Sequence, residues 1–126
     1  MPRATQLCVT LENKPGQLAR LTSVLQRAKV NIEAISVVDS ADCGQIRLVT
    51  SSAAKAKAAL GRAGMCTCQQ PVLVMRVCNQ PGVLSEISTK LAKAKINISY
   101  IYGSAIGDEG LLVLGVSDVA KAARVA

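Results

Sequence analysis

The chain has no histidine, no tryptophan and no phenylalanine, and only two tyrosines among its 126 residues. Without histidine it lacks the side chain best suited to moving protons near neutral pH, which argues against an enzyme. Asp108 and Glu109 stand beside Gly107 and Gly110, where turn chemistry accounts for them, and a cysteine nucleophile would still need a base. The shortage of aromatics also argues against a sheet that stacks unpaired bases, because such sheets carry aromatics on adjacent strands. No apolar run reaches the ~18 residues a membrane-spanning helix needs. The opening MPRATQLCVTLE lacks the charged-then-apolar layout of a secretory signal. These absences lead to the expectation of a soluble, cytoplasmic protein, not an enzyme, with no cofactor and no nucleic-acid or membrane partner.

What is present is a rich apolar content, 50% of residues, enough for a packed core. The formal charge of +7 raises the question of an anionic partner, but the 15 lysines and arginines are scattered without a run. Many, such as Arg20, Arg27, Lys90 and Lys93, fall on the polar sides of expected helices, where solvated charge is the ordinary state. Five cysteines, an odd number at irregular spacing, do not make a disulfide framework. Cys66 and Cys68, two apart, share a strand face and can be read either as soft-metal ligands or as small core or surface residues.

One phrase occurs twice. Residues 13–21 read NKPGQLARL and residues 79–87 read NQPGVLSEI, a shift of 66. The same shift, without a gap, superposes Leu25 on Leu91, Lys29-Val30-Asn31-Ile32 on Lys95-Ile96-Asn97-Ile98, Gly44 on Gly110 and Ala54-Lys55-Ala56 on Ala120-Lys121-Ala122. Self-similarity over so many elements marks a duplicated structural unit.

In the first copy Leu7, Val9 and Leu11 alternate as in a half-buried strand. After Pro15-Gly16 a helical stripe follows at Leu18, Leu21, Leu25 and Ala28, with Pro15 expected in the first helical turn. Residues 30–38 are rich in β-branched side chains, residues 39–44 read as a turn, and residues 45–50 return as a hairpin partner. Ser51-Ser52 can cap a helix over 53–63, and 65–70 makes a fourth strand. The second copy repeats strand, helix, strand, strand and helix, with Asp118 opening the last helix, and stops where Ala126 aligns with Leu60. The expected fold class is therefore α+β: two tandem ferredoxin-like βαββαβ units with antiparallel sheets, over residues 1–70 and 71–126. The second lacks its last strand, so one sheet edge stays open unless another segment or chain covers it. Units of this size are marginal alone, which favours a homodimer.

With this element order, an Asn-x-Pro-Gly-x-Leu phrase after the first strand and Val/Ile-Asn-Ile opening the second, the chain resembles the ACT domain family. It is similar to small stand-alone proteins built from two such domains. The resemblance implies a non-catalytic regulatory protein that binds an amino acid and acts on a partner enzyme or other protein. It further implies sheets joined side by side, with ligand held between the loop of one domain and the second strand of its neighbour. Carried onto this sequence, the ligand residues are Asn13, Lys14, Pro15, Gly16, Gln17 and Leu18 with Asn31 and Ile32. In the second copy they are Asn79, Gln80, Pro81, Gly82, Val83 and Leu84 with Asn97 and Ile98.

The chemistry suits such a ligand, since a helix N-terminus offers unpaired N–H donors to a carboxylate. An asparagine amide can serve either end of an amino acid. The same residues also have an ordinary structural reading, in which Asn-x-Pro-Gly is a turn and Asn31 and Asn97 close a helix or bond across the sheet. A ligand-free dimerisation module is thus the alternative to a sensor. The copies differ where sites would: Lys14 aligns with Gln80, Gln17 with Val83, Ala34 with Tyr100 and Ser36 with Tyr102.

Overall fold

Alternating apolar residues in Leu7-Cys8-Val9-Thr10-Leu11 turn one face of an extended segment inward, and that segment is the middle of strand β1 (Arg3–Glu12). The computed structural model describes residues 3–12, 14–40 and 43–126. The remaining elements are α1 (Gln17–Arg27), β2 (Ile32–Ser40), β3 (Cys43–Thr50), α2 (Ala53–Arg62), β4 (Thr67–Cys78), α3 (Val83–Lys93), β5 (Ile98–Ile106), β6 (Glu109–Val116) and α4 (Val119–Val125). This is the α+β, doubly repeated order expected of the duplicated sequence.

The chain divides into two compact units. The first is Thr5–Gln70, and the second is Pro71–Ala126 joined by Arg3 and Ala4. In the first unit the strand order is β2-β3-β1-β4. Both registers in it are antiparallel, with Leu7 opposite Leu48, Val9 opposite Ile46 and Ile35 opposite Leu48. In the second unit β5, β6 and β4 stand in that order, with Leu73 opposite Leu114 and Ile101 opposite Leu114.

Two departures from the sequence reading matter. The sequence suggests two strands over 65–70 and 72–78, but a single 12-residue strand, β4, runs through Pro71. Proline's fixed φ is compatible with extended backbone, and no glycine interrupts the stretch, so nothing breaks it. Among the described residues the second copy supplies the strands β4, β5 and β6, and Arg3 and Ala4 group with this unit.

Each unit has its own core. In the first, Leu7, Val9, Leu21, Leu25, Leu48, Ala56 and Leu60 pack together. In the second, Leu73, Met75, Ile87, Leu91, Leu114 and Ala122 do so. Apart from Leu60, these are matched positions of the repeat. Burying each large aliphatic side chain contributes about 1.5–3 kcal/mol. The helix ends are closed alike: Ser52 accepts from the Lys55 N–H at 3.3 Å, and Asp118 from the Lys121 N–H at 3.0 Å. Lys121 also reaches back, its Nζ donating to the Ala94 carbonyl at the end of α3, 2.8 Å away.

Candidate functional site

The repeated Pro-Gly phrase makes a tight turn. Pro81 brings a fixed φ to one corner, Gly82 takes φ +91° at the next, and the Val83 N–H points back to the Gln80 carbonyl at 3.4 Å. Proline then glycine with positive φ is the arrangement of a type II turn. Gly16 has φ +90° in the first unit, with Gln17 N–H to Lys14 O also at 3.4 Å. No atom lies within 4 Å of a Cβ built on either glycine, so backbone conformation rather than crowding demands glycine here. Pro15 accordingly precedes the helix rather than entering its first turn: Gly16, in the left-handed region, stands at the cap, and α1 starts at Gln17. The turn swings the chain from β4 into α3 within four residues, and leaves the first N–H groups of α3 without intrahelical partners.

In the second unit this turn borders a cavity of about 280 Å³. Asn79, Gln80, Val83 and Leu84 contribute from the turn and the start of α3. The end of β4 adds Val77 and Cys78, β5 adds Gly103, Ser104 and Ala105, and β6 adds Gly110 and Leu112. No lining residue carries a charge. Gly103 has a packing reason to be glycine: a Cβ there would collide with the Leu111 carbonyl and lie 2.8 Å from Leu112 Cδ2. Its bare backbone also keeps the cavity open on that side.

Asn79 ties the turn to the β5–β6 connection. Its backbone N–H donates to the Asp108 carbonyl at 2.8 Å, and its Nδ2 donates to the Gly107 carbonyl at 2.8 Å. The structural role of this asparagine is thus visible, while its Oδ1 is not needed for either bond. Pro81 and Gly82 shape the turn without lining the cavity. Asn97 and Ile98 are not brought to it: they stand at the opposite end of β5, where Asn97 N–H donates to Ser117 Oγ at 3.0 Å and Ile98 faces Val116. Of the two structural readings of Asn31 and Asn97, the helix ends are closed by backbone, Val30 N–H to Leu25 O and Ile96 N–H to Leu91 O, both 2.9 Å, while the two residues bond through their backbones to Ser51 and Ser117. Lys29 and Lys95 take up the left-handed turn there, each at φ 59°.

In the first unit Asn13 lies outside the described residues. Lys14 pairs with Glu12, Nζ to Oε2 2.8 Å. That ammonium, by hydrogen bond and by charge, holds the Glu12 carboxyl below the usual carboxylate range. Gln17 is half-buried and Leu18 exposed at the start of α1. Asn31 is paired through its backbone with Ser51, and Ile32 packs against the first core.

The strand residues Val77, Cys78, Gly103, Ser104, Ala105, Gly110 and Leu112 were not among those expected from the sequence. The signal for them lay in the repeat: Val37 aligns with Gly103 and Asp39 with Ala105, so the second copy is smaller and uncharged there. Tyr100 and Tyr102 do lie on one strand face, but they alternate with Ile101, which stands opposite the core residue Leu114, and so face away from the helices and the cavity. Cys66 and Cys68 are both exposed, and among the described residues no group of three or more His, Cys, Asp or Glu is placed to hold a metal. Among the described residues no helix is long and apolar enough to cross a membrane.

A family model described as an ACT domain pair matches residues 3–126. The chain belongs to the ACT domain pair family. A crystal structure of a Bacteroides thetaiotaomicron protein is similar to this ACT pair at 30% identity and a TM-score of 0.93, covering 98% of this chain and 85% of that one. The regulatory subunit of aspartate kinase from Thermus thermophilus, in a ligand-free form, shares the fold at 15% identity and a TM-score of 0.73, over 99% of this chain and 95% of that one. The corresponding subunit from Thermus flavus does so at 17% identity and a TM-score of 0.66, over 99% and 92%. A comparison with curated proteins finds no match. The ACT pair is a regulatory kind of module, typically without catalysis of its own.

Proposed function

We propose that this ACT pair is a non-catalytic sensor that binds a free amino acid in the second unit and reports its presence to a partner enzyme in the cytoplasm. The observation that carries this reading is the cavity at the Asn79–Gly82 turn: the donors of the α3 N-terminus, an asparagine oxygen not used by the fold and an apolar wall lie around one space. A carboxylate at the helix start, an ammonium at Asn79 Oδ1 and a side chain toward β5 and β6 satisfy an amino acid's three parts. The Thermus structures sharing the fold are regulatory subunits of an enzyme, which supports a partner of that kind. Occupancy would favour one arrangement of the protein over another, and the partner would detect the difference. A homodimer is the expected assembly, because each unit is small and Leu18, Ile35, Val37, Leu84 and Ile101 are exposed large apolar residues.

The test is thermal unfolding of the purified protein against each of the twenty amino acids. A ligand at about one hundred times its Kd adds ~2.7 kcal/mol to a state it alone binds. For so small a protein that is a rise of several degrees. At least one amino acid is expected to produce it. If none does, the chain is a ligand-free assembly module and the sensor reading fails.

A further inference from the structure

We infer that the paired helices of the first unit form a docking surface for an acidic segment of another protein, one that carries an aliphatic side chain between its carboxylates. The inference goes beyond the sensor reading and does not need it, since it concerns the other unit and a different class of partner.

The repeat shows how charge is divided. Residues 17–29 and 51–64, which hold α1 and α2, contain Arg20, Arg27, Lys29, Lys55, Lys57 and Arg62 and no aspartate or glutamate. The helices of the second unit do have acids, and both are engaged. Glu86 stands where the first unit has Arg20 and pairs with Lys90 at 3.3 Å. Asp118 caps α4, accepting from the Lys121 N–H at 3.0 Å. The first unit's helices thus lack the acids that answer the cations of the second.

Geometry concentrates that charge. Arg20 is engaged within the unit: its Nη2 donates to the Ala63 carbonyl at 2.6 Å and ties α1 to the end of α2. That tie borders a recess of about 320 Å³ between the two helices, lined by Val24, Arg27, Ala28, Ala59, Arg62 and Ala63. The four apolar lining residues are buried or half-buried, whereas the two arginines are exposed. Among the described residues neither Arg27 nor Arg62 is in an ion pair. At the matching places in the second unit Val24 gives way to Lys90 and Ala59 to Val125, a cation and a larger side chain where the first unit has an apolar floor.

These features select the occupant. A guanidinium takes a carboxylate through two parallel N–H donors, so two of them bordering one apolar recess match carboxylates beside an aliphatic side chain. A nucleic acid would satisfy the charge alone, because its bases stack on aromatics and both tyrosines of the chain belong to the second unit. A lipid surface is gripped by large apolar side chains that insert into it, and this recess offers one valine and three alanines.

The probe is a fluorescein-labelled synthetic peptide of repeated Glu-Glu-Leu, followed by anisotropy with the whole protein at low ionic strength. It should bind more tightly than a Glu-Glu-Ser peptide of equal length, and weaken as salt is added. Arg27→Gln with Arg62→Gln should weaken binding about tenfold or more, because the charge-assisted hydrogen bonds to carboxylate are lost. Lys93→Gln with Arg124→Gln removes the same charge from the last turns of α3 and α4, and should leave binding within about twofold. Unfolding midpoints of both double variants, compared with the parent, show that the fold is intact.

Equal losses in the two double variants would overturn the site and leave only an effect of the net charge of +7. A Glu-Glu-Ser peptide held as tightly would remove the recess from it. Oligothymidylate or phosphatidylglycerol vesicles bound more tightly than the peptide, through the same two arginines, would give the surface to nucleic acid or lipid instead. No binding of the Glu-Glu-Leu peptide would end the proposal. None of these outcomes touches the amino-acid reading, which unfolding against the twenty amino acids decides by itself.

Discussion

In the first unit Ala34 faces Val49 across two paired strands; at the matching place in the second, Tyr100 faces Gly115. A Cβ built on Gly115 would collide with the Tyr100 ring, so one residue has grown as its partner has shrunk. On the sheet face toward the helices the exchange runs differently. Val37 opposite Ile46 has become Gly103 opposite Leu112, and Asp39 opposite Gly44 has become Ala105 opposite Gly110. There the lost volume is not returned by the partner, and the cavity lies in that place. Two copies of one plan therefore teach where packing is kept and where it has been relinquished. Compensated pairs maintain the sheet, and uncompensated ones make room.

The comparison predicts a graded response to the same core truncation. Leu48 and Leu114 are matched, both fully buried, and each lies in its unit's core. Leu48→Ala and Leu114→Ala should each cost about 2–5 kcal/mol, because apolar burial is forfeited and a void remains where the side chain packed. Leu48→Ala should be the more costly. The second core is bordered by partly buried Val77 and Leu112, which can move into the space, whereas the matched Leu11 and Ile46 of the first are themselves buried. Urea unfolding at equilibrium measures both, and a larger loss for Leu114→Ala would show that the cavity-bearing unit is the more rigidly packed one.

A smaller effect isolates the tyrosine–glycine exchange. Gly115→Val alone forces a side chain into the Tyr100 ring and should destabilise by about 1–3 kcal/mol. Adding Tyr100→Ala recreates the first unit's Ala34–Val49 pair and should recover much of that loss. A double-mutant cycle is expected to give a coupling of at least ~1 kcal/mol between the two sites. Additive effects would mean that the two residues were not exchanged for one another.

How much of this was legible beforehand follows from which forces are local. The elements were legible because strand alternation, helical stripes and the Pro-Gly turn act over a few residues, and the shift of 66 repeats them all. The grouping of Arg3 and Ala4 with the second unit was not. Leu7 opens the alternating pattern of β1, but Arg3–Ala4, which group with the second unit, have no apolar periodicity to announce it. The Asn79–Leu84 loop could be named from its phrase. The wall opposite it could not, since Gly103 and Ala105 are ordinary residues until the β5–β6 register brings them round to the turn. Asn97 shares its motif with the loop only in the sequence; within its own unit a nine-residue strand separates them.

The smallest expected effect concerns the charged half of the comparison. Glu12 and Lys14 stand where the second unit has Cys78 and Gln80, so Lys14→Gln installs the second unit's residue. The Lys14 ammonium, first by hydrogen bond and then by charge, lowers the Glu12 pKa. A carboxyl whose folded pKa is depressed adds stability that is present above its unfolded pKa and lost as pH falls through the folded value. Lys14→Gln should therefore bring the Glu12 titration, followed by NMR at the carboxyl carbon, back up toward the ordinary glutamate range. The effect on the unfolding midpoint should be absent in acid below the folded pKa, reach its full small size above the unfolded one, and fade with added salt, because the pair is exposed and screened. An unshifted Glu12 titration in the parent protein would break the contrast: the first unit's loop would then be charged without being paired, and free to meet a ligand of its own.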